Sequence, residues 1–259
     1  MVWARSSSIE RVVACPASSV LPSGPDTRSE AIQEAADWGT FVHHWAATGT
    51  FLELEKWPNF PKLLKDRLSR MPGEPEEFRA ELWPVTGRHE VTFAIDVTKP
   101  GRIASFQGSK DQVQSWSAQL GDNWLKGEAD YVGETAFGAL WIDDLKTGRY
   151  PPDPKSGQLL TYALGAYLSI PIPDRPKYLA VSVTHWPRYP KDSPPQRTWG
   201  KVTPLDLKKW YLTLQATKQE TTRLRSLPVV KVIAATNPGE HCTFCPAKSG
   251  CPAGSVTLH

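Results

Sequence analysis

Residues Trp124–Glu134 and 139–147 are rich in aromatic and β-branched residues, and residues 133–138 between them carry turn chemistry, so the chain should form a β-hairpin here. A hairpin centred near Phe137 sets Asp130 opposite Asp144. Strands alternate faces with period two, which puts Asp144 and Lys146 on one face and Asp143 and Leu145 on the other. Asp143 is then the spare acid. Residues 158–169 place Leu159, Leu160, Tyr162, Ala163, Ala166 and Tyr167 at helical spacing, with Gln158 and Tyr162 sharing the face nearest the helix start. A second helical pattern spans residues 29–48 (Ile32, Ala35, Ala36, Val42, Ala46). Its Gly39 costs about 1 kcal/mol relative to alanine, so something should approach that glycine closely. His43 follows one turn later on the same face, with His44 as its neighbour.

The remaining pattern is quieter. Residues 6–15 predict a short helix with serine caps, ended by Pro16. Residues 90–96 and 177–186 read as strands, the second buried. Thr203 and Pro204 suit the N-cap and first position of a helix running to about Arg225, with Lys208, Lys209, Lys218, Arg223 and Arg225 forming a solvated face or a surface that tracks single-stranded DNA. Residues 57–75 are proline-broken around a short basic helix at 61–70. Residues 22–29 and 187–195 read as loops, and residues 101–121 as a polar insertion near a substrate channel. Glu90 reads as an exposed edge charge, with an acid supporting the metal ligands as the alternative. Most of the 11 tryptophans belong to the core, with Trp45 or Trp186 as candidates to stack on bases.

Two carboxylates facing each other across a strand pair need a counter-charge. A divalent cation supplies one, and oxygen ligands select Mg²⁺ or Mn²⁺, ions able to ionise water and to take up charge on a phosphodiester. Lys146 would then orient the attacking water or stabilise a phosphate oxyanion.

The chain has 259 residues, 40% hydrophobic, with a net charge of +3. That is enough for a substantial core in one elaborated domain, and it disfavours disorder. The charge suits nucleic acid without demanding it. No apolar run approaches a membrane span, and residues 1–6 lack a secretory apolar segment, so a cytoplasmic protein is expected. The four cysteines are Cys15, Cys242, Cys245 and Cys251, a ligand pattern compatible with zinc or with an iron–sulfur cluster. His241 reads as an ordinary loop histidine, though it could replace a cysteine around zinc.

Taken together, Gly127-x-x-Asp130, Asp144-x-Lys146-Thr-Gly148 and Gln158-x-x-x-Tyr162 resemble the core of the PD-(D/E)xK nuclease superfamily, in its RecB-like branch. The resemblance implies an α/β fold with a mixed central sheet flanked by helices, the core over about residues 80–190 of a single domain. It implies a Mg²⁺ or Mn²⁺ ion held by Asp130, Asp144 and the Leu145 carbonyl, with His43 completing the shell and His44 as the fallback. Lys146 would serve catalysis, while Gln158 and Tyr162 support the site and the DNA. One cysteine before the core and three after it resemble the iron–sulfur nucleases of CRISPR adaptation and bacterial recombination. By that likeness, Cys15, Cys242, Cys245 and Cys251 would hold a 4Fe–4S cluster stapling a helical lobe from residues 1–30 and 204–259. The expected activity is exonuclease action on single-stranded DNA or DNA ends, in recombination, repair, viral DNA processing or CRISPR adaptation, with an integrase, helicase or recombinase partner. An endonuclease of this fold, a zinc-stabilised nuclease and a non-catalytic DNA-binding adaptor stay open.

Overall fold

The computed structural model describes residues 3–24, 30–48, 82–83, 86–107, 110–148, 150–186 and 195–255. One mixed sheet carries the site. Its strands are β1 (Ala4–Arg5), β2 (Arg88–Asp96), β3 (Ile103–Phe106), β4 (Trp124–Glu134), β5 (Leu140–Lys146), β6 (Leu179–His185) and β7 (Gln196–Val202). They run in the order β3-β2-β4-β5-β6-β7, with β1 added beside β4. The β5–β6 and β1–β4 pairs are parallel and the others antiparallel.

The β4–β5 hairpin pairs Tyr131 with Asp143 and Val132 with Ile142, the register expected from a turn centred on Phe137. The ladder stops there. Further back, β4 pairs instead with β1, at Leu125 and Lys126, so residues 127–130 lie between two partners. Asp130 and Asp144 sit just past the last β4–β5 pair, where the strands part.

The helices are α1 (Ser6–Ala14), α2 (Glu30–Thr48), α3 (Lys110–Ala118), α4 (Gly157–Leu168), α5 (Pro204–Arg225) and α6 (Val229–Ala234). Ser156 caps α4, accepting from the Leu159 N–H at 3.4 Å. That helix is buried along most of its length, and its Leu159, Tyr162 and Ala163 join Ile142, Val181 and Val183 of the sheet in one core with Leu207 and Leu214 of α5. A Cβ at Gly165 would lie 2.6 Å from the Phe93 ring, so α4 rests directly on β2. A second core joins Trp38, Phe41 and Val42 of α2 to Trp83, Tyr131, Trp141, Leu145 and Trp186. Ile142 and Leu145 thus enter different cores, as alternation along β5 requires.

Asp143 is an anchor rather than a spare. It is 0% exposed, and it accepts from Trp83 Nε1 at 2.7 Å, from Thr184 Oγ1 at 2.6 Å and from Ser182 Oγ. Arg197 stands 3.8 Å away, stacked on Trp141 and Trp199 at 4.8 and 5.6 Å and donating to Thr184 Oγ1 and the Leu82 carbonyl. Burial raises the Asp143 pKa against the opposing pull of Arg197 and the three donors.

Helix α5 follows its sequence signals closely: Thr203 and Asp206 form a reciprocal capping box and Pro204 opens the first turn. Its basic face is less free than expected. Lys218 is 5% exposed and reaches Asp122 at 3.3 Å, Arg225 joins the same carboxylate, and Arg223 pairs with Glu220. Other expectations change too. Helix α1 has Arg5, not serine, at its N-cap, with no side-chain cap; Ser8 Oγ instead donates to the Arg5 carbonyl. Ala35 and Ala36 are exposed, the inward stripe of α2 falling on Trp38, Phe41, Val42 and Ala46. The polar insertion holds β3 and α3, tied by Phe106 stacked on Trp116 at 5.5 Å. Trp186 is 9% exposed and meets Trp38 edge-on at 5.9 Å, so it packs the core and is not presented to bases. Residues 57–75 with the helix at 61–70, the side chains of Ile32 and Trp45, and most of the loops at 22–29 and 187–195 lie outside the described residues. Among the described residues no helix is long and apolar enough to cross a membrane.

Candidate active site

A cavity of about 350 Å³ opens where β4 and β5 part. Asp130 (β4), Asp144 and Lys146 (β5), Gln158 and Tyr162 (α4), and His43 (α2) all line it, so the structure gathers these expected side chains at one place. His44 lines it as well.

Each acid is held differently. Asp130 Oδ2 accepts the Leu145 N–H at 2.7 Å, a donor freed because the β4–β5 ladder has ended. Its Oδ1 lies 2.9 Å from His43 Nδ1. Asp144 is 1% exposed; its Oδ1 faces Gln158 Nε2 at 3.5 Å. Oδ2 is buried without an aligned hydrogen-bond donor, and its neighbour is the Lys146 ammonium at 2.5 Å. We read that contact as an ion pair. Gln158 Nε2 also donates to the Tyr162 hydroxyl at 2.6 Å, which receives Ser6 Oγ at 3.3 Å from the other side.

Two glycines make room for this arrangement. A Cβ at Gly127 would lie 3.0 Å from the Tyr162 ring and 3.3 Å from Ser6 Cβ, so α4 and α1 close onto β4 only where a side chain is missing. At Gly39 the close neighbour expected from sequence is Thr147, whose Oγ1 would meet a Cβ at 3.1 Å. The residue following Lys146 therefore seats α2, and with it His43, against the β4–β5 hairpin.

The electrostatics push the two acids apart. Burial raises Asp144 to about 7, with Asp130 adding to the rise and Lys146 opposing it. Burial would raise Asp130 as well, but His43, Lys146 and the Leu145 N–H outweigh it and its pKa falls. Burial alone would lower His43 and Lys146, yet the facing carboxylates leave both raised. Tyr162 is raised well above its ordinary value by burial and by the two acids. The counter-charge that paired acids require is supplied here by His43 and Lys146.

Among the described residues no three histidine, cysteine or acidic side chains form a ready-made metal cluster. The donor set nevertheless suits a hard divalent ion. Asp130 and Asp144 face one cavity, and a carboxylate with a raised pKa and an oxygen lacking an aligned donor gains most from added positive charge. Leu145 presents its N–H to Asp130 and buries its side chain completely, so only its backbone can serve the site.

Two further acids line the cavity: Glu128, which the sequence did not single out, and Glu90, for which a supporting role is the lesser alternative from sequence. Glu128 precedes Asp130 by two residues on β4 and lines the cavity beside it. Glu90, taken as an edge charge, lies opposite Asp130 in the β2–β4 register, between the pairs His89–Tyr131 and Val91–Ala129. Its φ of 50° is uncommon for a residue with a Cβ, and no sequence signal announces it.

In a separate place, Cys15, Cys242, Cys245 and Cys251 line one narrow pocket. All four are free thiols, and the Asn237 N–H points at Cys15 Sγ from 3.5 Å. They share the pocket without converging as a ligand set. His241 also borders it, with Nε2 2.9 Å from the Asn237 carbonyl.

The family model described as the PD-(D/E)XK nuclease superfamily matches residues 6–252. No curated protein matches the chain. A solved structure described as "Crystal structure of SSO0001" is similar at 13% identity and a TM-score of 0.39, covering 97% of this chain and 87% of its own. That likeness is too distant to carry an argument.

Proposed function

The chain belongs to the PD-(D/E)XK nuclease superfamily, and from that premise we propose that it is a Mg²⁺- or Mn²⁺-dependent deoxyribonuclease with exonuclease action on single-stranded DNA or DNA ends. The observation carrying this reading is that Asp130, Asp144 and Lys146 meet His43, Gln158 and Tyr162 in one cavity. Asp130, Asp144, His43 and the Leu145 carbonyl would hold the ion, which when bound supplies an activated water and charge stabilisation at phosphorus. Lys146, which lines the cavity beside Asp144, would hold the attacking water or a phosphate oxygen. Gln158 fixes Asp144 and Tyr162 together, and Tyr162 walls the strand's path.

To test this, linear and circular single-stranded DNA are incubated with the protein and Mn²⁺ or Mg²⁺. Degradation of the linear strand alone is expected. Equal cutting of both would make the protein an endonuclease, and cutting of neither would remove the hydrolase reading.

We further propose that Cys15, Cys242, Cys245 and Cys251 bind a 4Fe–4S cluster, joining the segments 1–30 and 204–259 as a lobe of one domain. Supporting this, four free thiols from both ends of the chain border one pocket. Such a link closes a loop over nearly the whole chain, so binding energy becomes folding energy. Protein purified without oxygen should be brown and contain iron and sulfide; a colourless, zinc-loaded preparation would replace the cluster with a structural zinc site. Recombination, repair, viral DNA processing or CRISPR adaptation, with an integrase, helicase or recombinase alongside, would all use such a nuclease.

A further inference from the structure

A second cavity, of about 210 Å³, adjoins the catalytic one and shares Glu128 and Tyr162 with it. Its remaining walls include Arg5, Ser6, Ser7 and Lys126. Arg5 and Lys126 are partners in the parallel β1–β4 register, so both cations rise from the same face of the sheet. Along β4, Lys126 and Glu128 line this second cavity while Glu128 and Asp130 line the catalytic one, so the three follow one another along the joined groove. Four residues of strand separate Lys126 from Asp130, about 13 Å, which a DNA strand crosses in roughly two nucleotides when extended and four when stacked.

Resting on the nuclease reading, we propose that Arg5 and Lys126 bind a backbone phosphate of the DNA strand about two to four nucleotides from the phosphodiester that lies at Asp130 and Asp144. Two cations set side by side repel, and a phosphate between them removes that cost while gaining two charge-assisted contacts. Burial and the nearness of Arg5 lower the Lys126 pKa, with Glu128 acting against them, as a basic pair awaiting an anion should behave. Glu128 stands between the pair and the catalytic acids and marks the boundary between the anion-binding and cation-binding ends of the groove. Strand β1 thus has a role beyond pairing: it brings a guanidinium into the groove that β4 alone could not supply.

The test measures binding of a short single-stranded oligonucleotide in EDTA, where no hydrolysis occurs, as a function of salt. Arg5→Gln and Lys126→Gln are each expected to weaken binding roughly three- to tenfold and to reduce the slope of log K against log salt by about 0.7. Lys126→Arg should keep the wild-type slope. Hydrolysis of bis(p-nitrophenyl) phosphate in Mn²⁺, too small to reach the second cavity, should be unchanged in all three. An unchanged slope in both glutamine variants overturns the proposal, as does an equal loss on the small ester. Oligonucleotides ending in hydroxyl or phosphate separate the sources: equal losses assign an internal phosphodiester, and a loss confined to phosphorylated ends assigns a terminal phosphate. If the wild type binds DNA with the expected dependence on these cations yet hydrolyses nothing, the phosphate site stands and the nuclease reading falls.

Discussion

Replacing Lys146 with alanine is expected to lower DNA hydrolysis by about 10²–10³-fold or more while DNA binding and Mn²⁺ uptake survive. The ammonium lies 2.5 Å from Asp144 Oδ2 and is three-quarters enclosed, with 27% of the side chain exposed. Among the described residues the other cation acting on both acids is His43, which is engaged with Asp130 at 2.9 Å. The lysine lines the cavity beside Asp144, from where it would face the phosphate of a bound strand. Its loss should therefore appear in kcat rather than in folding. Single-turnover cleavage, anisotropy with labelled DNA and calorimetric Mn²⁺ titration separate the three quantities. Parallel losses of cleavage and Mn²⁺ uptake would show that Lys146 shapes the ion site instead of acting on the substrate.

Asp143→Ala should have the larger effect on stability, roughly 3–5 kcal/mol, which for a chain of this size lowers Tm by about 10 °C or more. The substitution strips a common acceptor from Trp83, Ser182 and Thr184 and leaves the Arg197 guanidinium without its carboxylate. Unpaired buried donors each carry the cost of lost water. Asp143→Asn keeps the shape and half of the acceptor capacity, so it should fall between wild type and alanine. Thermal unfolding of metal-free protein measures both. Equal Tm values for the alanine variant and wild type would mean that the sheet is held by its apolar faces alone.

The adjacent acids at 143 and 144 show what could be read from the chain and what could not. Period two correctly assigned them to opposite faces, and the turn at Phe137 correctly set the hairpin register, because both follow from local geometry. Nothing local says what each face meets. Asp143 looked idle because its partners come from β6, β7 and Trp83, distant in sequence and individually unremarkable. Capping signals fixed α5 to the residue, whereas α1 begins at an arginine because pairing of Ala4 and Arg5 with β4, a contact remote in sequence, sets its start. The polar strand β7 escaped notice for a related reason: an edge strand needs little apolar pattern when Arg197 and Trp199 find partners across the sheet. Within the site, the motif residues were legible because their spacing encodes one strand pair and one helix. Glu90 was not, since its inward aim depends on a backbone twist at φ 50° that no residue type announces.

The parallel pairing of Ala4–Arg5 with Leu125–Lys126 also bears on the order of assembly. During synthesis Ala4 and Arg5 emerge long before the strand that receives them, so this short ladder must wait until residue 126 is available. Until it does, one flank of the strand bearing Asp130 stays open to water, and a nascent chain halted ahead of residue 125 has no cradle for either end of a nucleic acid.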